Sequence, residues 1–146
     1  MRIVVSITVL LLLLGAIRAG DDAKTHLKRL QGKWQVTSAV SRGEKVPAED
    51  VFDLELTIDG EKITIRDKDK VQDRMTFKLD PAKKPAVIDF THTEGGNKDK
   101  TDHGIYKLDG DMLTICVNEK SGDDRPTEFA SKAGSTHSLI VLKRAK

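Results

Sequence analysis

The side chains able to do chemistry in this chain are few and scattered. His103 and Cys116 stand out first, because the strand register expected around Asp109-Gly110 sets an imidazole opposite a thiol, as nucleophilic catalysis or metal ligation requires. No third residue is placed to orient such a pair, and a reactive thiol needs an accessible, electropositive setting, so they read as an outer-face pair without chemistry. His92 shares a face with Ile88 and Phe90, whereas His103 lies on the opposite face of the next strand and His137 only begins the last one. These histidines lack the ligand spacing of a zinc site. Asp67-Lys68-Asp69-Lys70 and Asn97-Lys98-Asp99-Lys100 alternate in sign and do not continue into a calcium loop. Gly95-Gly96-Asn97-Lys98 lacks the glycines and following hydroxyl of a phosphate loop. Ser131 and Ser135-Thr136-His137 bring hydroxyls near a histidine without a Gly-x-Ser-x-Gly turn. No catalytic residue, metal ligand or cofactor is therefore assigned, and the chain is not read as an enzyme.

The elements that would position these groups are strands. Ile58-Asp59-Gly60-Glu61-Lys62-Ile63-Thr64-Ile65 and Leu108-Asp109-Gly110-Asp111-Met112-Leu113-Thr114-Ile115 each join two alternating strands through Asp-Gly, the signature of a tight hairpin. With Asp-Gly as the central pair, Leu56 faces Ile63 and Leu54 faces Ile65. Likewise, Tyr106 faces Leu113 and Gly104 faces Ile115. Further alternation places Trp34, Val36, Ser38 and Val40 on one face of a strand over residues 33–41. Met75, Phe77 and Leu79 share a face over 71–79, and Ile88 and Phe90 over 86–92. The last run, from His137 to Arg144, is apolar on both faces through Leu139, Ile140, Val141 and Leu142, which leaves its orientation open. A short helix is expected over Ala23 to Leu30 with Asp21 or Asp22 as N-cap, and one helical turn over Pro47 to Phe52.

About eight short-connected strands with one apolar face are best solved by closing the sheet on itself, which removes its edges. The expected fold is all-β: an eight-stranded antiparallel up-and-down barrel with a short N-terminal helix. Arg125-Pro126-Thr127-Glu128-Phe129 interrupts the pattern, since Pro126 disrupts a central ladder. It reads as a structural corner in which Phe129 caps the barrel and Arg125 or Glu128 satisfies backbone groups; a ligand-gating loop is the rival reading.

From about Leu27 to Arg144 the chain resembles a lipocalin-like domain family of uncharacterised function that is expanded in planctomycete bacteria. Leu30-Gln31-Gly32-Lys33-Trp34 resembles the Gly-x-Trp opening of lipocalin-type barrels, and Leu142-Lys143-Arg144 their closing basic residue, which packs on that Trp. The stretches from Gly104 to Asp111 and from Arg125 to Phe129 match as well. The resemblance implies an exported barrel in which Gly32, Trp34, Lys143 and Arg144 close one end; it supplies no substrate or catalytic residue to carry over.

The first residues point to export. Arg2 precedes an apolar run from Ile3 to Leu14, and Gly15-Ala16-Ile17-Arg18-Ala19-Gly20 supplies small residues for cleavage after Ala19. Arg18 and Asp21-Asp22 close the run too early for a spanning helix, which needs about 20 apolar residues. Residues 1–19 are thus read as a signal peptide and 20–146 as one barrel domain, periplasmic or extracellular, with no membrane span after cleavage. The chain carries 25 Lys and Arg against 23 Asp and Glu. Loss of Arg2 and Arg18 with the leader brings these to balance, which argues against a nucleic-acid partner. A single cysteine excludes an internal disulfide, so the domain relies on packing.

Two functions fit this outline. In one, a lumen lined by Trp34, Val36, Leu56, Met75, Phe77, Phe90, Tyr106 and Leu113 holds a small apolar ligand, with Ser38, Asp73, His92 and the Tyr106 hydroxyl as its polar groups and Gly104, Ser38 and Thr101 leaving space. In the other, the barrel is filled and its outer surface meets a protein or cell-envelope partner. An eight-stranded barrel is wide enough for either.

Overall fold

The computed structural model describes residues 19–146, with side chains from Asp22 onward. The expected leader lies outside the described side chains, and the helix begins earlier than expected, at Ala19, so Asp21 and Asp22 lie within its first turn rather than capping it. Helix α1 (Ala19–Leu30) leads into strands β1 (Gly32–Ser41) and β2 (Glu44–Lys45), helix α2 (Ala48–Val51), then β3 (Leu54–Asp59), β4 (Lys62–Asp67) and β5 (Lys70–Asp80). The chain continues through β6 (Ala86–His92), β7 (Thr101–Asp109), β8 (Met112–Asn118) and β9 (His137–Arg144). Consecutive strands pair antiparallel from β3 to β9, β1 pairs with both β3 and β9, and the short β2 adds to the end of β1. The result is the closed eight-strand barrel that the alternation predicts.

The two tight hairpins set the register differently from expectation. Asp59 pairs with Lys62 and Asp109 with Met112, so the central residues are Gly60-Glu61 and Gly110-Asp111. Only the glycines of these pairs take positive φ, +60° and +57°, as in a turn with Gly at its first central position. Leu56 therefore faces Ile65, and Tyr106 faces Ile115. The slip is an even one, so every side chain keeps its face and the apolar interior survives the error.

A second correction concerns β1. The ladder to β9 shifts between Val36 and Ser38, a bulge that reverses the alternation beyond it. Trp34 and Val36 are buried, but Ala39, opposite Ile140, takes the next core position in place of Ser38. The same pairing resolves β9: Ser138, Ile140 and Leu142 face inward.

Both ends of the barrel are closed by helices. At the end where the chain enters, α1 places Leu30 in the core and packs Leu27 against it. Its final turn is tied down by polar contacts: the Trp34 indole N–H donates to the Leu30 carbonyl at 2.8 Å, and the Gln31 side chain brackets the Gly60 peptide. At the other end, α2 contributes the buried Val51.

Candidate functional site

The eight expected lumen residues do come together inside the barrel, and none is more than 9% exposed. Side chains lining a chamber would show area to a water-sized probe; these touch one another instead. Gly104 opens no room either, because a Cβ there would lie 2.9 Å from the Cys116 carbonyl oxygen and 3.3 Å from the Val117 Cβ. Thr101 pairs its hydroxyl with that of Thr91 at 2.9 Å, away from the inward Phe90–Asp102 positions of the same strands. The Tyr106 hydroxyl is occupied by Nδ1 of His26 on α1, 2.8 Å away, with the two rings edge to face. Burial pushes its pKa up to about 12.

Polar chemistry gathers at the α2 end. There His92 closes β6, facing inward from between Asp73 on β5 and Asp102 on β7. Its Nδ1 lies 2.9 Å from Oδ2 of Asp73 and its Nε2 lies 2.8 Å from Oδ2 of Asp102. The second oxygen of Asp102 accepts the Ser121 hydroxyl from the loop after β8, while that of Asp73 accepts the Arg74 backbone N–H. Burial alone would lower the His92 pKa, but the carboxylates of Asp102 and Asp73 outweigh it and hold the imidazolium above its ordinary range. Inverse to a hydrolase triad, the hydroxyl here bonds the carboxylate and not the imidazole, so no nucleophile is activated.

The outer face carries a second cluster beneath the loop 119–136. Asn118, itself buried, starts the loop by donating to the Asp124 carbonyl and accepting from the Lys120 N–H. Arg125 then reaches back across the sheet, donating to the carbonyls of Ile88 and Gly104 and pairing with Asp89 at 2.8 Å. His103 also contacts Asp89, at 2.7 Å. Burial raises the Asp89 pKa, yet Arg125 and His103 more than reverse it and leave the carboxyl below its ordinary value. Pro126 is buried, so the Arg125–Phe129 segment is a strap anchored on the outside of β6 and β7. Phe129 does not cap the barrel; it lies on the outer wall under the Lys107 ammonium, 4.7 Å from the ring centroid. Glu128 pairs with Lys132 rather than with backbone.

Cys116 is fully buried beneath the same strap and faces Ile105, not His103. Its thiol donates to the Ala130 carbonyl at 3.4 Å, and burial pushes the pKa up, which makes it inert. Beside the strap runs a groove of about 550 Å³, lined by Val87, Ile105, Pro85 and Pro126 and by the exposed Lys83 and Lys84. Among the described residues no group of three or more His, Cys, Asp and Glu side chains is arranged to hold a metal ion, and no helix is long and apolar enough to cross a membrane.

The fold and its sites define a closed antiparallel barrel with a packed interior. Compared with family models, with curated proteins and with solved structures, the chain finds no match. Three residues of these clusters, Asp102, Asn118 and Ser121, are not among the candidates that the sequence offers. Asp102 shares parity with Gly104 and Tyr106, so its inward position was there to be read. Ser121 belongs to an irregular loop, for which alternation offers no signal, and Asn118 ends β8 but its side chain bonds only to that loop's backbone at Asp124 and Lys120 and to Thr136.

Proposed function

We propose that this chain is an exported, lipocalin-like barrel that acts through its outer surface on a protein or cell-envelope partner, and does not carry a small apolar ligand inside. The observation that carries the reading is the packed interior: Trp34, Tyr106, Phe77 and Leu113 are each at most 2% exposed. A ligand chamber of about 300 Å³ or more would leave such residues lining space. Export is supported by the charged, apolar and small-residue order of residues 1–19, and the lipocalin-like reading by the closed barrel with Arg144 set over Trp34. The groove beside the Arg125 strap, with apolar residues and a lysine pair in its lining, is the surface we assign to the partner.

Two measurements test this. Titrating the mature protein with an environment-sensitive fatty-acid-like probe, followed through Trp34 emission, should give no saturable binding. Saturable binding that Phe90→Trp abolishes in a folded protein would overturn the proposal in favour of a carrier. A photo-crosslinking residue at Val87, in cells of the native host, should trap a discrete partner that Lys84→Glu weakens, whereas the same residue at exposed Met112, outside the groove lining, should not.

A further inference from the structure

We propose that His92 is a proton-operated latch that fastens the loop after β8 onto the mouth of the barrel. The argument is one of donors and acceptors. Each imidazole nitrogen faces a carboxylate oxygen within 2.9 Å. A neutral imidazole has one N–H and one lone pair, so it can satisfy only one of the two carboxylates and must turn its lone pair on the other. Only the imidazolium donates to both. With the ring 11% exposed, water has little access to relieve the mismatch.

What the proton holds together spans four segments. Asp73 belongs to β5, His92 to β6 and Asp102 to β7, while Ser121 on the loop donates to the free oxygen of Asp102. One residue further, the Gly122 N–H donates to the Thr101 carbonyl at 2.9 Å, so the loop lies along the start of β7 only while that strand end is in place.

Charged groups approach the ring from each side. On β5 and β7 they are Asp73 and Asp102, both pulling the proton in. In the turn between β6 and β7, Lys100 and Asp99 touch His92 through backbone only, its N–H donating to the Lys100 carbonyl and its carbonyl accepting the Asp99 N–H. Arg74 and Glu94 pair with one another at the half-exposed rim. On the loop, Lys120 pairs with Asp123, and Glu119 lies within reach of the Ser41 hydroxyl.

Protonated, the site holds one cation between two anions. Deprotonated, it holds two carboxylates and a ring that can bond only one of them. The net charge rises from one negative to two, and the strand ends bearing Asp73 and Asp102 repel. Because the native pKa is raised above 6.5, the latch is fully fastened below that value and is released as pH climbs through the native one. Release frees the loop beside a surface pocket lined by Asn97, Lys100, Thr101, Glu119, Lys120 and Ser121.

The test is an NMR titration of His92 paired with amide exchange of Gly122, corrected for the intrinsic pH dependence of exchange. His92 should titrate above 6.5. Protection of Gly122 should fall roughly tenfold for each pKa unit by which His92 is raised, over the interval in which His92 loses its proton. Ser121→Ala leaves both ring contacts intact and should abolish that step while His92 still titrates high. Asp102→Asn should lower the His92 pKa and move any remaining step with it. A His92 that titrates at or below 6.5, or a Gly122 protection that stays flat across its titration, would overturn the latch. A step undiminished in Ser121→Ala would equally overturn the transmission through Ser121.

Discussion

The guanidinium of Arg144, the last residue of the last strand, sits over the indole of Trp34 in the first, its central carbon 4.3 Å from the ring centroid. The contact joins the two ends of the closed sheet, because Trp34 and Arg144 are also direct ladder partners. From the same position Arg144 donates to the carbonyls of Gln31 and Arg29 at the end of α1. Cation, aromatic ring and helix terminus are thereby fixed to one another, while Lys143 points to solvent.

Trp34 is wholly buried, and Trp34→Ala should cost about 3–5 kcal/mol in denaturant unfolding, as for other large aromatics cut from a packed core. Arg144→Lys keeps the charge but loses the fork that reaches two carbonyls, and should cost about 1–3 kcal/mol. A loss under about 1 kcal/mol for Trp34→Ala would contradict the burial.

Gly104→Ala tests the packed interior directly. Backbone oxygen lies 2.9 Å from the added methyl, and oxygen of a central strand cannot swing aside as a flexible side chain would. Destabilisation of about 1–3 kcal/mol is expected, whereas a barrel with open space at this level would accept the methyl without loss.

Acid should weaken the outer strap through Asp89. Its pKa is lowered in the folded protein, so the stability it contributes is present above its ordinary 3.8 and disappears as pH falls through the native value. Asp89→Asn lacks that contribution at every pH. Urea unfolding of the two proteins should therefore differ most above pH 4 or so and converge in stronger acid; a gap that widened on acidification would refute the Arg125–Asp89 account.

How much of this was legible follows from parity. Side-chain faces depend on odd or even position, so the two-residue slip in both hairpins left the core residues Leu56, Ile63, Tyr106 and Leu113 where alternation put them. The same slip dissolved the His103–Cys116 pair, since chemistry depends on the partner and not on the face alone. At Thr37 a bulge costs one residue of phase, and no residue type in Trp34–Ser41 announces it, so Ser38 was misplaced. The His92 cluster needed three strands in register, which single-strand patterns cannot supply. The sequence places Arg125 beside Pro126 and Phe129, but only the folded loop shows its guanidinium crossing to the carbonyls of Ile88 and Gly104.

Tyr106 and His26 give the last prediction, which concerns how α1 is held. The chain has a single tyrosine and a single tryptophan, so phenolate absorbance reports Tyr106 alone and emission reports Trp34 alone. Because burial raises the Tyr106 pKa from 10.0 to about 12, its neutral form stabilises the fold fully below pH 10.0, and that contribution is lost as pH rises toward the native value. On alkaline titration the phenolate should appear only near or beyond that value, together with the change in Trp34 emission that marks unfolding. In Tyr106→Phe the ring still fills the core, but His26 loses its partner, at an expected cost of about 1–2 kcal/mol and with faster amide exchange in α1. His26→Ala should release the hydroxyl while keeping the barrel closed, so its tyrosine should ionise at lower pH than in the parent. Should the parent tyrosine instead ionise near 10.0 with Trp34 emission unchanged, the hydroxyl is open to solvent and α1 does not seal that end of the barrel.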